Sequence, residues 1–334
     1  MPALLKPSEI VRRLSEHVIG QEAAKRTLAV AIYAHFRRMA ANAAIDSVEL
    51  TKSNILLIGP TGTGKTLLCE TLARILDVPF VTADATSLAQ TQFVGDEIEA
   101  ILHRLLDRAE GDLARAQRGI VFVDEVDKLK AAAGDQRGTS GESVQHALLK
   151  IMEGAPVRLK DGRHIDTTHI LFICGGAFVG LDNILTKTHT FGFISTSGGD
   201  DQQILERLNQ RVKPTDLLEF GLIPEFAGRL PIVTRLHHLS QDMLVRIMTE
   251  PKNAIARQFA AMLAADGVEL HIAPEVYRQI AELAIEYKAG ARSLRGIFEE
   301  MMTDVLYAVP DNPGIRRVTI RSLFEPAELS GAAA

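Results

Sequence analysis

Three short apolar runs stand out in the first half of the chain: NILLIG (54–59), GIVFVD (119–124) and HILFICGG (169–176). Each is rich in β-branched or aliphatic residues, lacks polar alternation and is bounded by turn or charged residues. Strands buried on both faces of a parallel sheet have this character. Between and around them, apolar residues recur at helical spacing over Lys65–Leu76, Glu97–Ala116 and Ser143–Met152. Strands alternating with helices predict a doubly wound α/β domain. Beyond Pro231 the pattern changes. Helices are predicted over Ser240–Ile255, Pro274–Lys288 and Ser293–Val309, and a short strand, RRVTIRSL (316–323), follows the turn signal DNPG (311–314). The segment THTFGFISTSGGD (188–200) has no period and reads as a loop. The expected organisation is a large α/β domain over residues 1–235 and a smaller, mainly helical domain over 236–334, ending in a frayed GAAA tail.

Composition narrows the classes. The chain has 334 residues, 46% hydrophobic and 24% charged, which suits a sizeable core and excludes a disordered polymer. Its 37 Lys and Arg against 42 Asp and Glu give a formal charge of -5, which argues against nucleic acid held by overall charge. The two cysteines, Cys69 and Cys174, are too few for a disulfide framework or a four-cysteine zinc site. Lys6 and Glu9 interrupt the place where a signal peptide needs an apolar run, and the uncharged run Ile170–Leu181 is twelve residues, short of the roughly 18 of a membrane span. A reducing, cytoplasmic setting with no membrane partner is expected.

The first strand runs directly into GPTGTGKT (59–66), the P-loop pattern G-x-x-x-x-G-K-[ST], with a helix after it. Gly59, Gly62 and Gly64 let backbone N–H groups turn inward and form an anion nest at a helix N-terminus. Pro60, Thr61, Thr63 and Leu67 complete the loop and its exit. In this pattern Lys65 reaches the β and γ phosphates and the Thr66 hydroxyl takes a place on Mg²⁺. ATP and Mg²⁺ are therefore the expected cofactors. The second strand ends in Asp124-Glu125, 59 residues after Lys65. Parallel sheets bind ligands at the carboxyl ends of their strands, so Asp124 fits the Mg²⁺-holding role and Glu125 the base that activates water. A solvated strand end is the alternative for the pair alone; beside the P-loop, it indicates nucleotide hydrolysis.

Two arginines have suggestive settings: Arg229 in the loop GLIPEFAGRLP (221–231) and Arg292 in GARSLR (290–295), which opens a helix of the second domain. Phosphate hydrolysis needs cations to neutralise transition-state charge, often from another subunit or domain. On spacing alone, a surface ion-pair partner is the favoured reading for each.

Eight segments, in order, carry a resemblance over nearly the whole chain: VIGQEAAK (18–25), SNILLIGPTGTGKT (53–66), VPFVTADAT (78–86), RGIVFVDEVDK (118–128), GESVQHALLKIMEG (141–154), ILFICGGAF (170–178), GLIPEFAGRLP (221–231) and GARSLR (290–295). Together they resemble the ClpX family of AAA+ protein unfoldases, which feed a ClpP-type peptidase. The resemblance implies an AAA+ P-loop large domain with a small helical domain. It implies a homohexamer that threads tagged or unfolded protein through its pore. By that likeness Val18 and Ile19 clasp the adenine ring, Arg229 is the arginine finger for the neighbouring subunit, and Arg292 is the sensor arginine of the small domain.

Some segments depart from the family. Gln92-Phe93-Val94-Gly95 stands where the family has a Gly-Tyr-Val-Gly pore loop; Phe93 keeps the aromatic surface and Val94 follows it, with a core role for Phe93 as the alternative. RLKDGRHIDTTH (158–169) is shorter than the family's basic loop at the pore entrance, though Arg158, Lys160, Arg163 and His164 keep positive charge there. Phe191-Gly192-Phe193 stands where the family docks its peptidase through an aliphatic residue followed by Gly-Phe. The family's N-terminal zinc module finds no counterpart, so no zinc is expected. The reading is thus an ATP-driven unfoldase of this type. A remodeller with no peptidase partner is one alternative. A nucleic-acid motor is disfavoured by Phe93 and the negative charge, and a non-hydrolysing switch by Glu125.

Overall fold

The computed structural model describes residues 5–42, 51–91, 93–130, 141–189 and 211–331. In it the three apolar runs become β1 (Ile55–Ile58), β3 (Ile120–Asp124) and β6 (Leu171–Gly176), joined by β2 (Phe80–Asp84) and β7 (Ile232–Arg235). The sheet order is β2-β3-β6-β1-β7, and every neighbouring pair is parallel. The three central strands are buried almost residue for residue, which is why they lack polar alternation. Parallel neighbours need crossovers, supplied here by α3 (Lys65–Leu76), α4 (Ala85–Gln90), α5 (Val94–Arg108), α6 (Leu113–Ala116), α7 (Gly141–Glu153) and α8 (Leu181–His189). Upstream lie α1 (Pro7–Ser15) and α2 (Glu22–Asn42). Before β7 come α9 (Pro214–Phe220) and α10 (Pro224–Gly228), each opened by proline at its first turn. A small antiparallel hairpin, β4 (Pro156–Arg158) and β5 (His164–Asp166), leaves the main sheet.

The described chain divides into two compact units. One holds the five-stranded sheet; the other comprises Arg12–Gln21, Thr61–Gly64 and the chain from His237 onward. The second contains α11 (Gln241–Thr249), α12 (Ile255–Ala265), α13 (Pro274–Glu286) and α14 (Arg292–Asp311), with β8 (Glu269–Ile272), β9 (Ile315–Ile320) and β10 (Glu328–Gly331) in a three-stranded sheet. Its core packs Leu244, Ile280, Met302 and Val318 around Phe259 and Phe298, whose rings stack 5.5 Å apart.

Two predicted helices are each interrupted. The periodicity over Glu97–Ala116 is two helices, because Glu110 and Gly111 take positive φ (58° and 82°) and Asp112 caps a new start by accepting from Arg115 N at 3.1 Å. The run Ser240–Ile255 stops at Thr249, ahead of Pro251, and resumes at Ile255. Among the described residues no helix is long and apolar enough to cross a membrane.

The amino-terminal edge of the sheet buries an unusual group of bases. His35 Nε2 lies 3.1 Å from the His169 carbonyl, and Arg38 Nη2 lies 3.5 Å from His35 Nδ1. Lys52 donates to the Thr167 carbonyl at 3.0 Å and sits 4.7 Å from the Phe172 ring centre. Neutral His35 satisfies this arrangement, donating from Nε2 and accepting at Nδ1. A second proton would face the guanidinium. Burial first, then Arg38 and Lys52, hold His35 down to about 3, and burial holds Lys52 down to about 7.

This sets an acid limit on stability. Unfolded His35 takes up a proton near pH 6.5, whereas the folded group waits until about 3, so stability present above 6.5 is lost as pH falls through that window. The thermal unfolding midpoint should fall between pH 7 and 4, and His35→Gln should flatten that slope. An unchanged slope in the variant removes His35 as the cause.

Candidate functional site

β1 ends at Ile58, and Gly59 N extends its ladder by donating to Gly176 O at 3.1 Å. The chain then turns tightly: a side chain on Gly59 would place Cβ 2.8 Å from both Cβ and O of Leu236. Gly62 and Gly64 take φ of 78° and 94°, which L side chains resist. The loop delivers Lys65 as the first residue of α3. Its ammonium is buried and donates to the carbonyls of Gly59 (2.6 Å) and Pro60 (3.1 Å). Thr66 follows and donates from Oγ1 to Asp124 Oδ2 at 3.3 Å. Thr63 is buried, whereas Leu67 is exposed.

Asp124 ends β3 level with Asp84 at the end of β2. Glu125 takes a left-handed conformation (φ 60°, ψ 30°) that costs about 1 kcal/mol for a non-glycine residue. Two backbone contacts hold it there: its N–H donates to Asp124 Oδ1 at 2.9 Å and its carbonyl accepts from Lys128 N at 2.9 Å. Thr86 Oγ1 lies 3.3 Å from its Oε2 but donates its proton to the closer Asp84 Oδ1. The carboxylate is exposed at the carboxyl end of the sheet. Asp127, on the 3-10 turn Val126–Leu129, is buried and accepts from Ala177 N and Phe178 N, each at 3.2 Å. Sequence reasoning gave no role to Thr86 or Asp127, although both lie within the motif segments; an acidic third position after Asp124-Glu125 was the available signal.

Lys65, Thr66, Asp124 and Glu125 therefore converge at the carboxyl ends of β1 and β3, the two strands that flank β6. Two oxygen donors 3.3 Å apart suit a hard divalent cation, and an ammonium beside a loop of inward-turning glycines suits phosphate. These residues fit a magnesium nucleotide. The two cysteines offer no comparable site: burial pushes both thiols up, Cys174 to about 12.

In the second unit, Gly62 O accepts from Ala291 N at 3.2 Å, and a Cβ on Gly62 would stand 2.3 Å from Ala289 O. The next residue, Arg292, opens α14 with its side chain exposed. Val18 and Ile19 are buried at 5% and 7% exposure. They precede Gly20 and Gln21, both at positive φ, and the Gln21 amide pairs with the His237 backbone in both directions (2.8 and 3.0 Å).

Arg229 lies elsewhere. It caps the C-terminus of α10, and Asn54, immediately before β1, donates to its carbonyl at 3.2 Å. The P-loop leaves the other end of β1, five residues and roughly 16 Å further on. The guanidinium, half exposed, pairs with Glu153 through Nε (2.9 Å) and Nη2 (2.6 Å). Phe93 is 69% exposed at the N-terminus of α5, which excludes the core role considered for it, and Val94 packs partly against the core. Beside α5, Lys160 pairs with Asp96 at 3.4 Å and Arg163 with Asp161 at 2.5 Å, so two of the four basic residues of the β4–β5 segment are matched by carboxylates. Phe191, Gly192 and Phe193 lie outside the described residues.

Residues 50–233 match the family model described as AAA domain (Cdc48 subfamily), and residues 239–312 match the C-terminal, D2-small domain of ClpB protein. The chain is 45% identical to the ATP-dependent Clp protease ATP-binding subunit ClpX of Treponema denticola, over 95% of this chain and 80% of that protein.

The loop makes a direct prediction. Gly62→Ala combines an unfavourable φ with a backbone collision, so nucleotide affinity should fall at least tenfold, as read by titration with a fluorescent ATP analogue. Binding at the unsubstituted affinity would show that the loop conformation is not needed.

Proposed function

The chain belongs to the ClpX family of AAA+ ATPases, and from that membership we propose how its residues drive the unfolding of polypeptide. ATP hydrolysis is its reaction, and unfolding with delivery to a ClpP-type peptidase is its function. The observation that carries the assignment of roles is the convergence of Lys65, Thr66, Asp124 and Glu125, with Thr66 and Asp124 in hydrogen-bond contact. Lys65 exchanges the Gly59 and Pro60 carbonyls for the β and γ phosphates, which backbone N–H groups of residues 61–66 also cradle. Thr66 and Asp124 hold Mg²⁺, which when bound neutralises phosphate charge. Glu125 accepts the proton of the attacking water. Val18 and Ile19 supply an apolar face to the adenine base. Arg292 reports nucleotide state from the small domain, residues 236–334, to the large domain, residues 1–235.

Arg229 acts on the neighbouring subunit. The support is distance: its backbone is fixed at the end of β1 opposite its own P-loop, roughly 16 Å away. A ring of identical subunits gives each site the arginine it lacks, in a homohexamer. Phe93 and Val94 grip substrate by apolar contact that tolerates any sequence, consistent with the exposure of Phe93. Phe193, with Phe191 and Gly192, docks the peptidase, and several weak copies per ring add through avidity. A Phe at 191 in place of an aliphatic residue alters the fit to the peptidase pocket.

Glu125→Gln should keep ATP binding within about twofold while turnover falls by at least a hundredfold, checked by ATP binding and phosphate release. Arg229→Ala should also lose turnover, yet mixing it with Glu125→Gln subunits should restore some, because certain interfaces then pair an intact Glu125 with an intact Arg229. If no mixture regains activity, the arginine does not act between subunits.

Phe93→Ala should leave ATP hydrolysis intact while a folded, tagged reporter is no longer unfolded. Phe193→Ala should spare both activities and abolish stimulation of a ClpP-type peptidase. Normal unfolding by the first variant, or normal stimulation by the second, would overturn the corresponding role.

A further inference from the structure

Between Glu125 and Arg229 lies a buried amide that the mechanism has not used. Gln145, on the first turns of α7, is 0% exposed and both ends of its side chain are engaged. Its Nε2 donates to Leu129 O at 2.7 Å, and its Oε1 accepts from Ile223 N at 2.9 Å. Leu129 ends the 3-10 turn that starts immediately after Glu125. Ile223 is the N-cap of α10, the five-residue helix whose C-cap is Arg229. One side chain thus bridges the turn behind the proposed water-activating base and the helix that carries the proposed finger.

The neighbouring geometry makes this bridge stiff. Gly141, the first residue of α7, packs so closely on Leu129 that a Cβ there would stand 2.5 Å from its carbonyl oxygen. Eight residues after Gln145, about 12 Å along the same helix, Glu153 holds the Arg229 guanidinium. α7 therefore grips α10 at both ends, at its N-cap through Gln145 and at its C-cap through Glu153. A purely apolar core position would be filled as well by Leu or Met. A glutamine with neither end wasted indicates a tie between two backbone segments, since an unmade bond on either would leave a buried polar group unsatisfied.

We propose that Gln145 is a positioning residue that couples the hydrolytic end of β3 in its own subunit to Arg229, and through it to the adjacent subunit's ATP site. This rests on the reading that Arg229 acts between subunits. A shift of the Glu125 turn moves the Leu129 carbonyl, Gln145 passes the displacement to Ile223, and α10 re-aims Arg229. Each subunit's nucleotide state is thereby sensed next door.

A mixed ring isolates the two ends of the tie. Glu125→Gln subunits hydrolyse nothing themselves but supply Arg229; Arg229→Ala subunits have an intact Glu125 but need a neighbour's arginine. Gln145→Met is placed in one partner or the other, and ATP turnover is measured per assembled ring, with assembly read by size-exclusion chromatography. Coupling through Arg229 predicts a loss of about tenfold, with KM for ATP within twofold, when Gln145→Met sits in the arginine-supplying partner, and little loss in the Arg229→Ala partner, where the tie leads to no arginine. Equal loss from both placements, loss only in the glutamate-supplying partner, or loss in neither overturns the proposal. If the parent mixture without Gln145→Met is inactive, the intersubunit role of Arg229 fails first and the coupling falls with it. If Gln145→Met does not fold, Gln145→Glu serves in the same two placements. It keeps an acceptor for Ile223 N and sets a carboxylate oxygen against the Leu129 carbonyl, so the same loss confined to the arginine-supplying partner is expected, and equal loss from both placements again overturns the tie.

Discussion

The parallel register of β1, β6 and β3 is the constraint on which the site depends. Ile58 pairs with Gly176 and Val123 with Cys174, so β1 and β3 end within one residue of the same level. The P-loop and Asp124-Glu125 then leave the sheet on the same edge, which is what lets Thr66 reach Asp124. This edge must be nearly bare of side chains. A Cβ on Gly175 would lie 2.6 Å from the Phe122 ring, and one on Gly176 would lie 2.4 Å from Asp127 Oδ1. The two glycines make room for a buried aromatic beneath and a buried carboxylate beside. Asp127 uses that room to bind two backbone N–H groups just beyond β6. A single register slip would separate Thr66 from Asp124, whatever the quality of the packing below.

The sequence was most legible where one physical demand dominated. The central strands carry no polar residue short of the terminal Asp124 because both faces are covered, and the α3 helix begins at Lys65 because a P-loop must open a helix. β2 and β7 escaped the pattern because they lie at the sheet's edges: β2 alternates between buried and exposed positions, and β7 is mostly half-buried. The break after Arg108 was hidden because apolar spacing continues across a turn that only backbone conformation reveals. At the site, the P-loop and the acidic pair were readable from spacing. The roles assigned to Val18, Ile19, Arg229 and Arg292 came from resemblance, because nothing in a solvated arginine or an apolar pair distinguishes a function. Glu153 and Gln145 were not readable as partners at all: the contacts they make are 76 and 78 residues distant in the chain.

Electrostatics divides the sheet's two ends. At the carboxyl end lie the carboxylates of Asp84, Asp124 and Glu125 and, after the P-loop, the buried ammonium of Lys65. At the amino end, His35, Arg38, Lys52 and His169 crowd together with Asp166 as the carboxylate that acts on Lys52 and His169. His35 is tolerated by staying neutral and Lys52 by bonding to a carbonyl, whereas Arg38 contacts the neutral His35 ring and keeps a buried Nε without a hydrogen bond.

Arg229 gives the division a mechanical meaning. Its carbonyl is tied to Asn54, whose amide also bonds Met152 O and accepts from Phe172 N, so the arginine's backbone is part of the sheet's rigid amino-terminal edge. No rotamer of one side chain spans the length of β1 to the P-loop of the same subunit. If Arg229 completes a phosphate site, as proposed above, that site belongs to a second copy whose carboxyl edge faces it. Such a contact would be heterologous, one subunit's amino edge against another's carboxyl edge, and repeated contacts of this kind close into a ring when the rotation between copies allows. The same four-residue strand that brings Thr66 to Asp124 at one end thus holds the Arg229 backbone at the other.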